Sequence, residues 1–170
     1  VPGYRDELRR HSPSGLVPCL KIGDEAIWDS LAIAETLADR FPSKRLWPVD
    51  PAAQARARCL SAEMHAGFPA LRNVWPVDMA REALGIACDP AVRKDLTRIF
   101  QLWSEARSDF AGDGPFLFGD FSIADAMYAP VVSRIRTYGP VQLFSPLSDY
   151  MDAVWQHPAM VEWRQAAAQE

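Results

Sequence analysis

The chain has 170 residues, and 18 Lys+Arg against 22 Asp+Glu give a formal net charge of −4. Its 49% apolar and 24% charged residues are ordinary globular usage, which excludes wholesale disorder. No apolar stretch approaches the roughly 18 residues of a membrane helix. A mildly acidic chain without a Lys/Arg block also lacks the electrostatic footprint of a general nucleic-acid binder.

Cys19, Cys59 and Cys88 are widely spaced and odd in number, with no CxxC pair and no Cys/His cluster. Neither a disulfide framework nor a metal site is expected, and a reducing, cytoplasmic setting is the default. No secretory signal is visible in the sequence, which opens at Val1-Pro2-Gly3 and not at a Met. Tyr4 to His11 is a polar, helix-compatible segment, stopped by the turn residues Ser12-Pro13-Ser14-Gly15. Leu16 to Ile22 reads as a short buried strand, although Pro18 inside it removes a ladder donor. Gly23-Asp24 is a tight turn, and Glu25 to Trp28 completes a hairpin. Asp29-Ser30 then caps a helix carrying Leu31, Ile33, Ala34, Leu37, Ala38 and Phe41, which Pro42 ends.

Ser43 to Pro51 holds two prolines, two cations and no periodicity, and reads as a linker. Everything after it reads helical. Leu60, Met64, Phe68, Leu71 and Trp75 recur at helical spacing, with a kink expected at Pro69. Val92, Leu96, Ile99, Trp103, Ala106 and Phe110 form the cleanest amphipathic stripe. Gly112 to Gly119 is a loop. Ser122 opens a helix that is apolar nearly all round from Ile123 to Ile135, so it is expected at a domain centre. Pro146 and Pro158 bracket a further helix before a short terminal one. The organisation is a small β-containing unit at 1–43, a linker at 44–51 and an all-helical unit at 52–170.

Three features carry candidate chemistry. Val17-Pro18 in a strand is either an ordinary trans edge-strand proline or a cis bond presenting the backbone of Val17 to a peptide-like ligand. Asp29-Ser30 is either a simple cap or a site whose first-turn N–H groups receive a carboxylate while Asp29 accepts from an ammonium group. A ligand with both charges on one carbon, such as an α-amino acid end, suits that pair. Ser122-Ile123-Ala124-Asp125 resembles a capping box with Asp in place of Glu, and reads as structural. Phe121 precedes it at the staple position, with Ala126 a small partner.

Taken in order, these segments resemble the glutathione S-transferase family. The residues that carry the resemblance are Ser12 to Leu20 (SPSGLVPCL), Trp28 to Glu35 (WDSLAIAE) and Gly119 to Ala126 (GDFSIADA). The resemblance implies an α/β thioredoxin-like N-terminal domain, incomplete here, followed by an all-α domain, usually in a cytosolic homodimer. It implies that Val17 pairs with the cysteinyl part of glutathione, that Pro18 is cis, and that Asp29 and Ser30 grip the γ-glutamyl end. Glu63-Met64-His65 resembles a segment of bacterial transferases that lines the cleft between subunits, with Met64, Phe68, Arg72 and Trp75 candidates for its wall. The bland alternatives are a surface histidine at His65 and ordinary core packing for the aromatics.

The family also begins with a strand–helix–strand unit of roughly 30 residues that is not visible here. That unit holds the residue activating the glutathione thiol, so no residue of this sequence is assigned that catalytic role. Cys19 follows Pro18 but reads as an inert strand cysteine. Exposed edges of a shortened sheet suggest that the natural protein is longer. The expected activity is addition of glutathione to a small electrophile. The alternatives are a non-catalytic glutathione-binding module and a glutathione-dependent isomerase or reductase.

Overall fold

A computed structural model describes residues 3–82, 84–139 and 147–169. The expected helix boundary at Pro146 lies outside the described residues, as do Val1 and Pro2. The chain divides into two compact units, residues 1–46 and 47–170.

The first unit begins with α1 (Tyr4–His11), whose first turn carries Asp6 and Glu7 and whose last turn carries Arg9, Arg10 and His11. This charge order complements the helix dipole. Strands β1 (Cys19–Ile22) and β2 (Glu25–Trp28) pair antiparallel, with Cys19 opposite Trp28 and Ile22 opposite Glu25. Directly opposed residues share a face, so Cys19, Lys21, Ala26 and Trp28 lie on one side of the hairpin. The C-terminal end of α1 meets that side: the Cys19 thiol donates to the His11 carbonyl at 3.3 Å, and Lys21 Nζ lies 3.5 Å from His11 Nδ1. His11 also pairs with Glu7 at 3.0 Å, a partner that sequence reasoning did not supply. Helix α2 (Ser30–Arg40) packs on both strands and reaches Glu25 through an Arg40 ion pair.

The strand is shorter than expected. Leu16 and Val17, expected at its buried start, are 66% and 67% exposed, and pairing begins only after Pro18. A proline has no N–H to contribute to a ladder, so β1 starts at the next residue.

The second unit is helical. It contains α3 (Pro51–Ala66), α4 (Pro69–Val74), α5 (Pro90–Phe110), α6 (Ile123–Tyr138), α7 (Ser148–Gln156) and α8 (Pro158–Ala167). Five of the six begin with or near a proline or a side-chain cap, as unsatisfied first-turn N–H groups require. Leu60, Met64, Phe68, Leu71 and Trp75 are all buried, but they divide between α3 and a separate α4 that Phe68 and Trp75 flank. The chain breaks at Gly67-Phe68, where Phe68 takes φ 60°, and the Asp95 carboxylate of α5 accepts from Leu71 N–H at 3.0 Å. A cap reaching across 24 residues replaces the local one that Phe68 cannot provide.

Helix α6 packs against α3 and α7 and forms the centre of this unit, with Ile123, Ala124, Tyr128, Val131, Val132 and Ile135 withdrawn from solvent. Trp103 of α5 meets Tyr128 and Tyr150 edge-on, with ring centroids 5.4 and 4.9 Å away. The preceding loop closes on itself because Gly114 has no side chain; a Cβ there would stand 2.4 Å from the Gly119 Cα. Arg107 holds the same loop by donating to the carbonyls of Pro115 and Phe116 at 2.7 and 2.9 Å.

Candidate functional site

The hairpin register determines the geometry of the candidate site. Cys19 faces Trp28, so the residues just before β1 and just after β2 emerge at the same end of the ribbon. Val17-Pro18 and Asp29-Ser30 are those residues. The Val17-Pro18 peptide bond is cis. Neither the N–H nor the C=O of Val17 makes a hydrogen bond among the described residues. An extended peptide pairs with an exposed backbone donor and acceptor of this kind.

Asp29 forms the N-cap of α2. Its Oδ1 accepts from Leu31 N–H at 2.9 Å and from Ala32 N–H at 3.3 Å. The residue sits at φ 76°, ψ 130°, a backbone region that side chains other than Gly adopt at a cost of about 1–3 kcal/mol. The expected capping bond is therefore made, and a strained backbone holds the carboxylate at the helix tip. Ser30 follows as the first helical residue. Its N–H and hydroxyl make no hydrogen bond among the described residues. The helix dipole adds partial positive charge at that point, which favours an anion.

The other candidates lie in the helical unit. Glu63 forms a forked pair with Arg98, whose Nε and Nη2 donate at 2.7 and 3.0 Å. That bond raises the Arg98 pKa. Met64, Phe68 and Trp75 are buried among the helices, and His65 is exposed on the last turn of α3. Arg72 reaches back to the end of α3: Nη2 donates to the Met64 carbonyl at 2.6 Å, and Nε to the Gly67 carbonyl at 3.1 Å. Sequence spacing could not have revealed this, because Arg72 serves the helix before its own.

Ser122 and Asp125 form the capping box. The Asp125 carboxylate accepts from Ser122 N–H at 2.9 Å, from the Ser122 hydroxyl at 3.0 Å and from Leu117 N–H at 3.0 Å. The third donor comes from the preceding loop and has no sequence signature. Burial raises the Asp125 pKa and outweighs these bonds, which lower it. Burial and the nearby Asp125 charge push the Tyr150 phenol upward. Phe121 finds its partner in His157, stacked at 4.0 Å, where Ala126 had been the expected one.

Among the described residues no cluster of His, Cys, Asp and Glu could hold a metal ion. No helix among them is long and apolar enough to cross a membrane.

The paired strands, the Asp-capped helix and the helical bundle with its buried box together define a two-part, thioredoxin-like and all-helical architecture. The glutathione S-transferase C-terminal domain matches residues 25–166, and the glutathione S-transferase N-terminal domain matches residues 2–40. The chain belongs to the glutathione S-transferase family.

Relatives differ in what they are named for. A Drosophila melanogaster protein named probable maleylacetoacetate isomerase 1 is 32% identical over 136 residues, covering 79% of this chain and 53% of that protein. The chain thus spans little more than half the length of this relative. A Histophilus somni stringent starvation protein A homolog is 22% identical over 161 residues, covering 92% of this chain and 71% of its own. In fold, the chain is similar to a Burkholderia glutathione transferase homolog crystallised with bound glutathione. That match has a TM-score of 0.67 at 21% identity, over 96% of this chain and 78% of the other.

Proposed function

We propose that this protein binds glutathione and works as a glutathione-dependent isomerase of small unsaturated substrates, within a homodimer. The observation that carries the glutathione part is the open end of the hairpin: unbonded peptide groups at Val17 beside an unbonded N–H and hydroxyl at Ser30. Val17 would pair with the cysteinyl peptide, Pro18 would hold that backbone, and the tip at Asp29 and Ser30 would take the γ-glutamyl end. The first-turn N–H and hydroxyl of Ser30 suit its carboxylate, and the Asp29 carboxylate suits its ammonium group.

Glutathione supplies a thiol whose ionised form adds to an activated double bond and either stays attached or departs after the bond has turned. Addition alone is conjugation, the activity that the family resemblance implies. Isomerisation is favoured over it by the similarity to the fly protein. His65, exposed at the end of α3, and Glu63 beside it are placed in this reading at the cleft or subunit contact.

The test is an assay of a cis-configured conjugated acid with glutathione. Isomerisation that leaves the glutathione concentration unchanged is the expected result. Stoichiometric loss of glutathione would return the protein to conjugation. Tight glutathione binding with neither reaction would favour a regulatory module, the direction indicated by similarity to the stringent starvation protein A homolog. His65→Ala should lower turnover, and identical kinetics would remove that residue from the cleft.

A further inference from the structure

The turn end of the hairpin carries a second cluster, away from the end where Val17 and Ser30 emerge. A cavity of about 310 Å³ opens there, lined by Arg9, Arg10 and His11 from α1 and by Lys21, Asp24 and Glu25 from the hairpin. The helix dipole accounts for cations in the last turn of α1, but not for Lys21, which arrives from β1. Arg10 pairs with Glu7 at 3.1 Å, and Glu25 pairs with Arg40. Arg9 reaches only Asp6, at 3.9 Å, and neither Lys21 nor Asp24 forms an ion pair among the described residues.

His11 is oriented from both sides. Its Nε2 lies 3.0 Å from a Glu7 carboxylate oxygen, and its Nδ1 lies 3.5 Å from Lys21 Nζ. A carboxylate only accepts, so Nε2 carries the ring proton and Nδ1 keeps its lone pair toward the lysine. A carboxylate, an imidazole and an amine in line are the arrangement that activates a nucleophile. The other two lysines, Lys44 and Lys94, are exposed like Lys21 but lack this arrangement. Lys94 lines a cavity of about 620 Å³ with Arg93 and Arg98, and no histidine lines it among the described residues. It therefore has the arginines without the imidazole, and Lys44 has neither an ion pair nor a side-chain hydrogen bond among the described residues.

We propose that Lys21 is a self-acylation site, taking an acyl group from an acyl phosphate held in this cavity, with His11 as general base. Arg9 and Arg10 suit the phosphate, since a guanidinium fork matches its oxygens. The Lys21 ammonium first gives one proton to solvent through His11 Nδ1. The amine then attacks the acyl carbon: the N–C bond forms, and the C–O bond breaks with its electron pair on the phosphate oxygen. The second nitrogen proton passes through His11 Nδ1 to the departing phosphate, which restores neutral His11. Glu7 is the positioning residue that holds the ring in this tautomer. Acylation cancels the Lys21 charge and takes a cation out of the cavity. The cluster belongs to the first unit alone and stands apart from the glutathione reading.

Acetyl phosphate is the probe: the intact chain is incubated with it, and peptide mass spectrometry follows acetyl occupancy at each lysine over time. Lys21 should gain acetyl groups about tenfold faster than Lys44 and Lys94, within the roughly hundredfold that a placed general base supplies. His11→Ala should bring Lys21 down to the Lys94 rate and leave Lys44 and Lys94 unchanged. If that variant loses helix content, His11→Gln, which keeps a donor toward Glu7, repeats the comparison. Glu7→Gln should slow Lys21 at saturating acetyl phosphate without moving the half-saturating concentration, whereas Arg9→Met should raise that concentration. With S-acetyl-N-acetylcysteamine, a neutral thioester, the preference for Lys21 should shrink. Equal rates at the three lysines would overturn the site, as would an undiminished Lys21 rate in both His11 variants. An equal preference for Lys21 with both donors would overturn the phosphate-holding cavity.

Discussion

The molecule caps two helices with aspartate and treats the two caps in opposite ways. At α6, Asp125 is fully withdrawn from solvent, and three donors converge on its carboxylate. At α2, Asp29 is half-buried and makes two capping bonds from a strained backbone, while the adjacent Ser30 keeps donors unspent. The units around them differ likewise. The helical unit buries Trp75, Trp103, Tyr128, Tyr150 and Leu71 almost completely. Among the described residues of the first unit no large apolar side chain is buried, and Ser12 is the buried residue. A sealed polar group holds a fold together, whereas polar groups left unpaired at a helix tip are available to a ligand.

The contrast is tested most severely by Asp125→Ala. It strands the N–H groups of Ser122 and Leu117 in the interior and should cost about 2–4 kcal/mol of unfolding free energy in urea. A loss no larger than an ordinary cap would show that Asp125 does not seal the bundle. The same residue predicts a pH dependence. Burial raises its folded pKa above the unfolded value of 3.8, so its protonation favours the folded state. Its contribution is full below that value and is lost as pH rises through the folded pKa. Wild-type stability relative to Asp125→Asn should therefore grow as pH falls from about 7 toward about 4.

Hydrogen exchange sharpens the comparison. Amides of α6 should exchange only on global unfolding, and those of β1 and β2 through far more frequent local opening. Equal protection in both would sink it. At the open cap, Asp29→Asn retains a capping oxygen and tolerates the positive φ, so stability should change little. Its glutathione affinity should fall about tenfold, by the loss of roughly 1.4 kcal/mol that one charge-assisted bond supplies. Unchanged affinity would leave Asp29 as a cap and nothing more. The smallest effect belongs to Arg98→Met, which removes a solvent-accessible pair with Glu63 and should cost under about 1 kcal/mol.

The helices were legible where apolar periodicity is regular. The stripe from Val92 is buried as far as Ala106, with Phe110 at its end only half-buried, and the all-apolar run after Ser122 is the centre of the bundle. The hairpin was legible from Gly23-Asp24 between short apolar runs. Boundaries set by backbone chemistry were less so. Leu16 and Val17 look like strand residues, but the proline after them stops the ladder and leaves them exposed. The kink expected at Pro69 is a full break into two helices, because Phe68 before it takes a left-handed φ.

The candidate site followed the same division. Local order placed Val17, Pro18, Asp29 and Ser30 in view, since caps and strand prolines act on their immediate neighbours. Their meeting at one end of a ribbon is a matter of register, which pairs residues nine apart. The roles of Arg72, Asp95 and the Leu117 donor to Asp125 came only from the folded chain. Periodicity and capping are short-range and are written in adjacent residues. Compensation of a buried charge or an orphaned amide depends on whatever side chain arrives from a distant helix, and only packing decides that.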